Sequence, residues 1–178
     1  MILLKKNFIF FIIMKIAICF KGKFNSGSKE ARKVNSNYSR LSHQIYKENL
    51  FKPNSESEID VFVHCWDKEH KDEIDSFYAP KGSSYKGTEE VQKKINNRPI
   101  TNRVFTILSN WYSIMESVNQ MREYEIKNNF RYDLVLIARF DVALLIPLDF
   151  SKYNLDLKNK LYHSGPEPIH GSGCTCVR

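Results

Sequence analysis

The chain has 178 residues, 42% hydrophobic, 13% aromatic and 26% charged, the balance of one folded domain and too apolar for a disordered one. Seven glycines, six prolines and four cysteines (Cys19, Cys65, Cys174, Cys176) exclude a collagen-like chain and a disulfide framework, and the default setting is the reducing cytoplasm. The net charge of +7 is lopsided: residues 21–52 carry six lysines and two arginines against Glu30 and Glu48, whereas residues 53–178 are slightly acidic, so nucleic acid is not the expected partner.

At the N-terminus, the apolar run Phe8–Met14 is far short of the roughly 18 to 20 residues that span a bilayer, and no transmembrane span is expected. Lys5 and Lys6 precede an apolar stretch as in a signal peptide, yet no small-x-small cleavage site follows and Lys15 interrupts the run. Residues 1–13 therefore read as a leader or a misassigned start, with Met14 the natural beginning. Secretion or anchoring through residues 1–20 stays open as the alternative.

Ile16–Phe20 is a short β-rich run that ends in the Gly, Ser, Asn and Lys loop of residues 21–28. Residues 29–51 carry thinly spaced apolar positions (Val34, Tyr38, Leu41, Ile45, Leu50), the pattern of a surface helix, and Pro53-Asn54-Ser55 breaks it. Ile59–Trp66 is nearly continuously apolar, as in a strand covered on both faces. Residues 68–103 are charged and turn-rich around Pro80-Lys81-Gly82-Ser83-Ser84 and read as a long connection with one short helix near Glu89–Ile95.

The clearest element is helical. Val104, Ile107, Leu108, Trp111, Met115, Val118 and Met121 recur at three- and four-residue steps, Thr101 and Asn102 cap the start, and Asn128-Asn129 stop it near Lys127. This stripe reads as core. Tyr132–Ala138 then forms a buried strand, followed by Arg139-Phe140-Asp141 and a second apolar run, Val142–Ile146, stopped by Pro147. Strand, helix and strand in this order imply an α/β fold, Rossmann-like, with a mostly parallel sheet and flanking helices.

Open parallel sheets bind ligands beyond the carboxyl ends of their strands. Three groups lie there: Lys21-Gly22-Lys23, His64-Cys65-Trp66-Asp67 and Arg139-Phe140-Asp141. Glycine lets a backbone approach a phosphate while Lys21 and Lys23 supply charge; the alternative is two solvated lysines. Trp66 and Asp67 suit a base and a hydroxyl, or equally a core position and a helix cap. Arg139 and Asp141 alternate after an apolar strand and so point to the same side. They read either as a mutual salt bridge or as a phosphate-neutralising arginine beside a divalent-cation ligand, Asp141. His170, on a later loop, is a weaker second ligand. The remaining histidines lack metal-ligand spacing, and His64 reads as a core histidine.

The blocks Lys15–Phe20 with its Lys-Gly-Lys loop, Asp60–Asp67, Ser109-Asn110-Trp111-Tyr112-Ser113-Ile114 and Tyr132–Asp141 resemble a group of glycosyltransferase-like proteins of bacterial surface-polysaccharide loci and large DNA viruses, themselves similar to the GT-A nucleotide-sugar transferases. The resemblance covers about residues 14–150. It implies a nucleotide-sugar donor across the strand ends, a carbohydrate, lipid or protein acceptor, and Arg139-Phe140-Asp141 at the place of the Asp-x-Asp metal motif that holds Mn or Mg. An arginine stands at the first aspartate of that motif. Because 37 residues follow Asp141, residues 14–150 are expected to form the nucleotide-sugar-binding domain and residues 151–178 an incomplete acceptor region of a shortened product or diverged remnant.

Overall fold

A computed structural model describes residues 13–24, 38–94 and 99–153. Four strands, β1 (Lys15–Gly22), β2 (Glu58–Cys65), β3 (Gly82–Tyr85) and β4 (Leu134–Arg139), form one all-parallel sheet in the order β3-β2-β1-β4. The helices are α1 (Tyr38–Tyr46), α2 (Lys71–Tyr78), α3 (Glu89–Lys94) and α4 (Asn102–Asn128). A π-helical turn, Lys47–Phe51, and a 3-10 turn, Lys52–Asn54, extend α1 towards β2. The fold is therefore α/β with a parallel sheet flanked by helices, as the sequence pattern predicts. No helix of the described residues is long and apolar enough to cross a membrane.

β1 is central and buried on both faces, which is why it reads as an unbroken apolar run. Ile16, Ile18 and Phe20 point into the larger core with Tyr46, Leu50, Ile74, Tyr78, Phe140 and Phe150. Phe20 anchors it: its ring lies 4.6 to 5.1 Å from those of Tyr78, Tyr46 and Phe140. Ala17 and Cys19 point the other way, against Phe62, Met121 and Tyr132 under α4. This second layer is thin. Small side chains on β1, and Gly82 on β3, let the long helix approach closely; a Cβ at Gly82 would lie 3.1 Å from Gln120 Cβ.

Polar groups buried between the layers are paired, as burial demands. Tyr132 donates its hydroxyl to Asp60 at 2.6 Å, and its amide to Glu125 at 2.9 Å. Asn54 is the clasp of the other face. Its amide nitrogen donates to the carbonyls of Leu50 and Leu148, at 2.7 and 2.6 Å, and its oxygen accepts the Phe150 amide at 2.8 Å. The chain leaving β4 is thereby held against the turns that follow α1.

Four expectations are corrected. The connection 68–103 holds more than the one short helix expected near Glu89–Ile95, which is α3: it also contains α2 and β3. Ala79 ends α2 in the left-handed region (φ 42°), Lys81 donates to Val61 O at 2.8 Å, and the Gly-Ser-Ser stretch pairs with β2 because it lies beside it, against its own turn-like composition. The strand read as buried, β4, is covered on one face only, Val135 and Ile137 being 41% and 44% exposed, and the apolar run 142–146 after it is irregular. Of the helix expected over 29–51, residues 38–46 are α-helical, 47–51 form the π turn and 25–37 lie outside the described residues. Most consequentially, the apolar stripe of α4 faces the core only at Val118 and Met121; Val104, Ile107, Leu108, Trp111 and Met115 are exposed, Trp111 by 64%. The residues that press on the sheet are Ser113, Ser117, Met121 and Glu125. Ends are as expected: Thr101 Oγ1 accepts the Val104 amide, and Asn129 closes the helix at φ 51°.

Replacing Asn54 by Ala removes three hydrogen bonds and strands two carbonyls and an amide, a cost of about 2–4 kcal/mol. Chemical denaturation should show this loss, and proteolysis should cut first within 142–153.

Candidate functional site

All four strands end on one edge of the sheet, so the polar residues that follow them gather there. The register aligns Lys21 with His64 on one side and with Arg139 on the other. All three side chains project from the face that α4 covers. Lys21 is buried, and its ammonium donates to Asn110 Oδ1 of α4. Desolvation lowers its pKa and the neighbouring Arg139 lowers it further, while Asp141 pulls it back up. A lysine so placed favours an anionic partner that would restore its charge.

Gly22 follows Lys21 at φ +105°, and a Cβ there would meet nothing within 4 Å. The open space lies directly over the strand end, and only glycine holds this backbone without strain. Its amide donates to Ser113 Oγ at 2.9 Å, and the same oxygen lies 2.7 Å from His64 Nδ1. His64 Nε2 is buried and has no hydrogen-bond partner among the described residues. Burial pushes the imidazole down to about 4, so it is neutral at pH 7. The core-histidine reading holds for its burial and fails for half of its hydrogen bonding.

Arg139 and Asp141 form a closed pair. Nε donates to Oδ1 at 2.7 Å and Nη2 to Oδ2 at 2.6 Å, the two-pronged geometry of a guanidinium on a carboxylate. The salt-bridge alternative is thus the one present, at a half-exposed arginine. The backbone there is anchored from α1: Tyr46 donates its hydroxyl to Arg139 O at 2.7 Å, and Ser42 donates to Phe140 O at 2.5 Å.

Trp66, half-buried, stacks on Tyr112 at 5.6 Å and 30°, and meets the His64 ring edge to face at 4.5 Å. Beside them Lys86 pairs with Glu116 at 2.8 Å. Asp67 is used structurally: Oδ2 accepts the Phe24 amide at 2.9 Å, holding the chain after β1 to the end of β2. It starts the 3-10 turn Lys68–His70 without a side-chain cap. The Cys65 thiol, pushed up to about 12 by burial, is no nucleophile at neutral pH. Lys23 is exposed. His163, His170, Cys174 and Cys176 lie outside the described residues.

The structure therefore brings together Lys21, Gly22, Trp66, Arg139 and Asp141, and adds Asn110, Tyr112, Ser113 and His64. Asn110, Ser113 and Ser117 carried a readable signal. They recur at steps of three and four, a polar stripe with the same helical period as the apolar one.

His64 also sets a pH dependence. Its folded pKa of about 4 lies below the ordinary 6.5, so the unfolded chain takes up the proton first as pH falls. Stability contributed by neutral His64 is complete above about pH 6.5 and is lost as pH drops towards 4, by about 3 kcal/mol in all. Urea denaturation across this range should show a shallower acid loss for His64→Gln than for the parent chain; equal slopes would remove His64 as the cause.

Comparison with protein-family models, with curated proteins and with solved structures finds no match to this chain.

Proposed function

We propose that the carboxyl edge of this sheet binds the diphosphate of a nucleotide-sugar, and that the chain acts as a GT-A-like glycosyltransferase towards a carbohydrate, lipid or protein acceptor. The observation that carries the reading is the pairing of Lys21 with Arg139 across adjacent strand ends, beside the open backbone of Gly22. Two cations and a glycine with free space over it suit a diphosphate. The Trp66–Tyr112 stack offers aromatic surface for a base. The resemblance in the strand-end blocks supports the same substrate class.

The chemistry asked of the site is electrostatic. As the bond from sugar to diphosphate breaks, negative charge grows on the departing oxygens, and fixed cations in a partly desolvated site stabilise it. Lys21 is held in place for this by Asn110, and the Arg139 backbone by Tyr46. A divalent cation fits the donor set poorly. Both oxygens of Asp141 lie on the Arg139 guanidinium, and the described residues contain no group of three His, Cys, Asp or Glu side chains able to hold a metal ion. No step is therefore routed through a metal.

A second reading, nucleotide binding without turnover, is favoured by the state of the carboxylates at this edge. Asp141 is clasped by Arg139 and Asp67 holds the Phe24 amide, so both serve structure where a general base is wanted.

Calorimetric titration of UDP, GDP and CDP, with and without manganese, tests the proposal. One nucleotide should bind the parent chain, and Lys21→Ala should weaken it by about tenfold or more. Without metal, Asp141→Ala should strengthen binding, because it releases the Arg139 guanidinium. Manganese-dependent binding that Asp141→Ala abolishes would instead restore the metal-ligand role of Asp141. No binding by a folded chain would overturn the proposal, and binding with no sugar transfer to any acceptor tried would favour the second reading.

A further inference from the structure

The exposed apolar residues are not scattered. At about 100° per residue along α4, Ile107, Trp111 and Val118 lie on the flank opposite Gln120 and Glu116, which lie against Gly82 and Ser84 of β3. That flank faces β4. On β4 itself, Val135 and Ile137 project from the same face of the sheet and stay 41% and 44% exposed. Helix α4 packs mainly on β1, β2 and β3, and the apolar residues of β4 on this side keep the exposure given above.

Among the described residues, the outer edge of β4 is also open. The strand pairs with β1, and no strand among the described residues lies beyond it. β1 uses its even-numbered residues on β2, Met14 O accepting the Glu58 amide at 2.9 Å and Gly22 O the Trp66 amide at 3.0 Å, so its odd-numbered residues face β4, and the pairing of Ile16 with Leu134 fixes the phase of that ladder. Even-numbered residues of β4 therefore bond to β1, and Val135, Ile137 and Arg139 direct their amides and carbonyls outward. An apolar edge with no lysine, proline or bulge is a template for another strand. The opposite edge, β3, is a four-residue Gly-Ser-Ser-Tyr strand, too short to serve equally.

We propose that β4 pairs antiparallel with β4 of a second copy of this chain, joining two four-stranded sheets into one of eight strands. The sequence 133–139 is complementary to itself under a two-fold axis at Leu136. In that register Leu136 faces its own copy and Leu134 faces Ala138 as non-hydrogen-bonded pairs, the ladder bonds running between Val135 and Ile137. Val135 faces Ile137, and Asp133 faces Arg139 at both ends. A shift of two residues in one direction would set Asp133 against Asp141, and in the other Arg131 against Arg139. Both juxtapose like charges, so charge selects the one register. Arg139 uses Nε and Nη2 on Asp141, and a guanidinium with five donors can serve a second carboxylate. Asp133 holds the Lys15 amide with Oδ2 alone. The two-fold keeps both α4 helices on one face, flanking a shared floor of Val135 and Ile137 from each copy. The inference does not rest on the nucleotide reading, although the two share Arg139.

Sedimentation velocity of the 178-residue chain over a concentration series should show a dimer. Val135→Asp should raise its dissociation constant by about tenfold or more, because the symmetry installs the buried charge twice. Val135→Asp/Ile137→Lys should restore the dimer, since the register sets each new aspartate against a new lysine. Both positions are exposed in the single chain, so circular dichroism should report the parent fold in each variant. A parent chain that stays monomeric would overturn the proposal and leave the face to another partner. So would a dimer that Val135→Asp leaves intact, or a folded double variant that remains monomeric.

Discussion

The structure depends on the register of β1 between its two neighbours. Parallel pairing of Lys15–Gly22 with Glu58–Cys65 and with β4 puts three strand ends at one height, and with them Lys21, His64 and Arg139 on one face. One residue of slip would send these polar side chains into the Phe20 aromatic core and bring Phe20 under α4. The alternation Ile16, Ile18, Phe20 against Ala17, Cys19, Lys21 forbids this. The same pattern that buries the core therefore aims the site.

Helix α4 is shaped by what that site needs. A helix lying over an apolar strand ordinarily turns its apolar stripe to the sheet. Here the strand ends beneath it carry an ammonium, an imidazole and a glycine amide, and buried polar groups need partners. Asn110 and Ser113 supply them, and the small Ser113 and Ser117 permit close approach over Ala17 and Cys19. Satisfying these groups rotates Ile107 and Trp111 out of the interface. Their exposure is the counterpart of the site's hydrogen bonding.

This explains what was legible in the sequence and what was not. β1, β2, β4 and the long helix declared themselves through unbroken apolar runs and helical period; for β1 and β2 that mark comes from burial on both faces, whereas β4 and the long helix carry it on surfaces that stay exposed. The orientation of α4 did not, since two stripes with one period run along it and only the sheet's polar ends decide which faces inward. β3 was hidden because a Gly-Ser strand is held by its neighbours and by its closeness to Gln120, not by its own propensity. At the site, Lys21, Gly22, Arg139 and Asp141 were found from their position after strands. His64 looked like filling, and its coupling through Ser113 to Gly22 required three dimensions.

A strand written Leu-Val-Leu-Ile-Ala has the composition of one covered on both faces. In β4 one face is covered: Leu134, Leu136 and Ala138 join the larger core, while Val135 and Ile137 meet solvent. A surface position free of other demands would be expected to alternate with polar residues, as edge strands do to avoid unwanted pairing. The hydrophobicity of the exposed positions thus exceeds what this chain's described neighbours use, and it does so on the flank where α4 turns its unused stripe. Two elements from different parts of the sequence carry the same surplus on the same side, and charge brackets the strand with opposite signs at its ends. Local propensity alone gives no reason for that coincidence; a contact surface does.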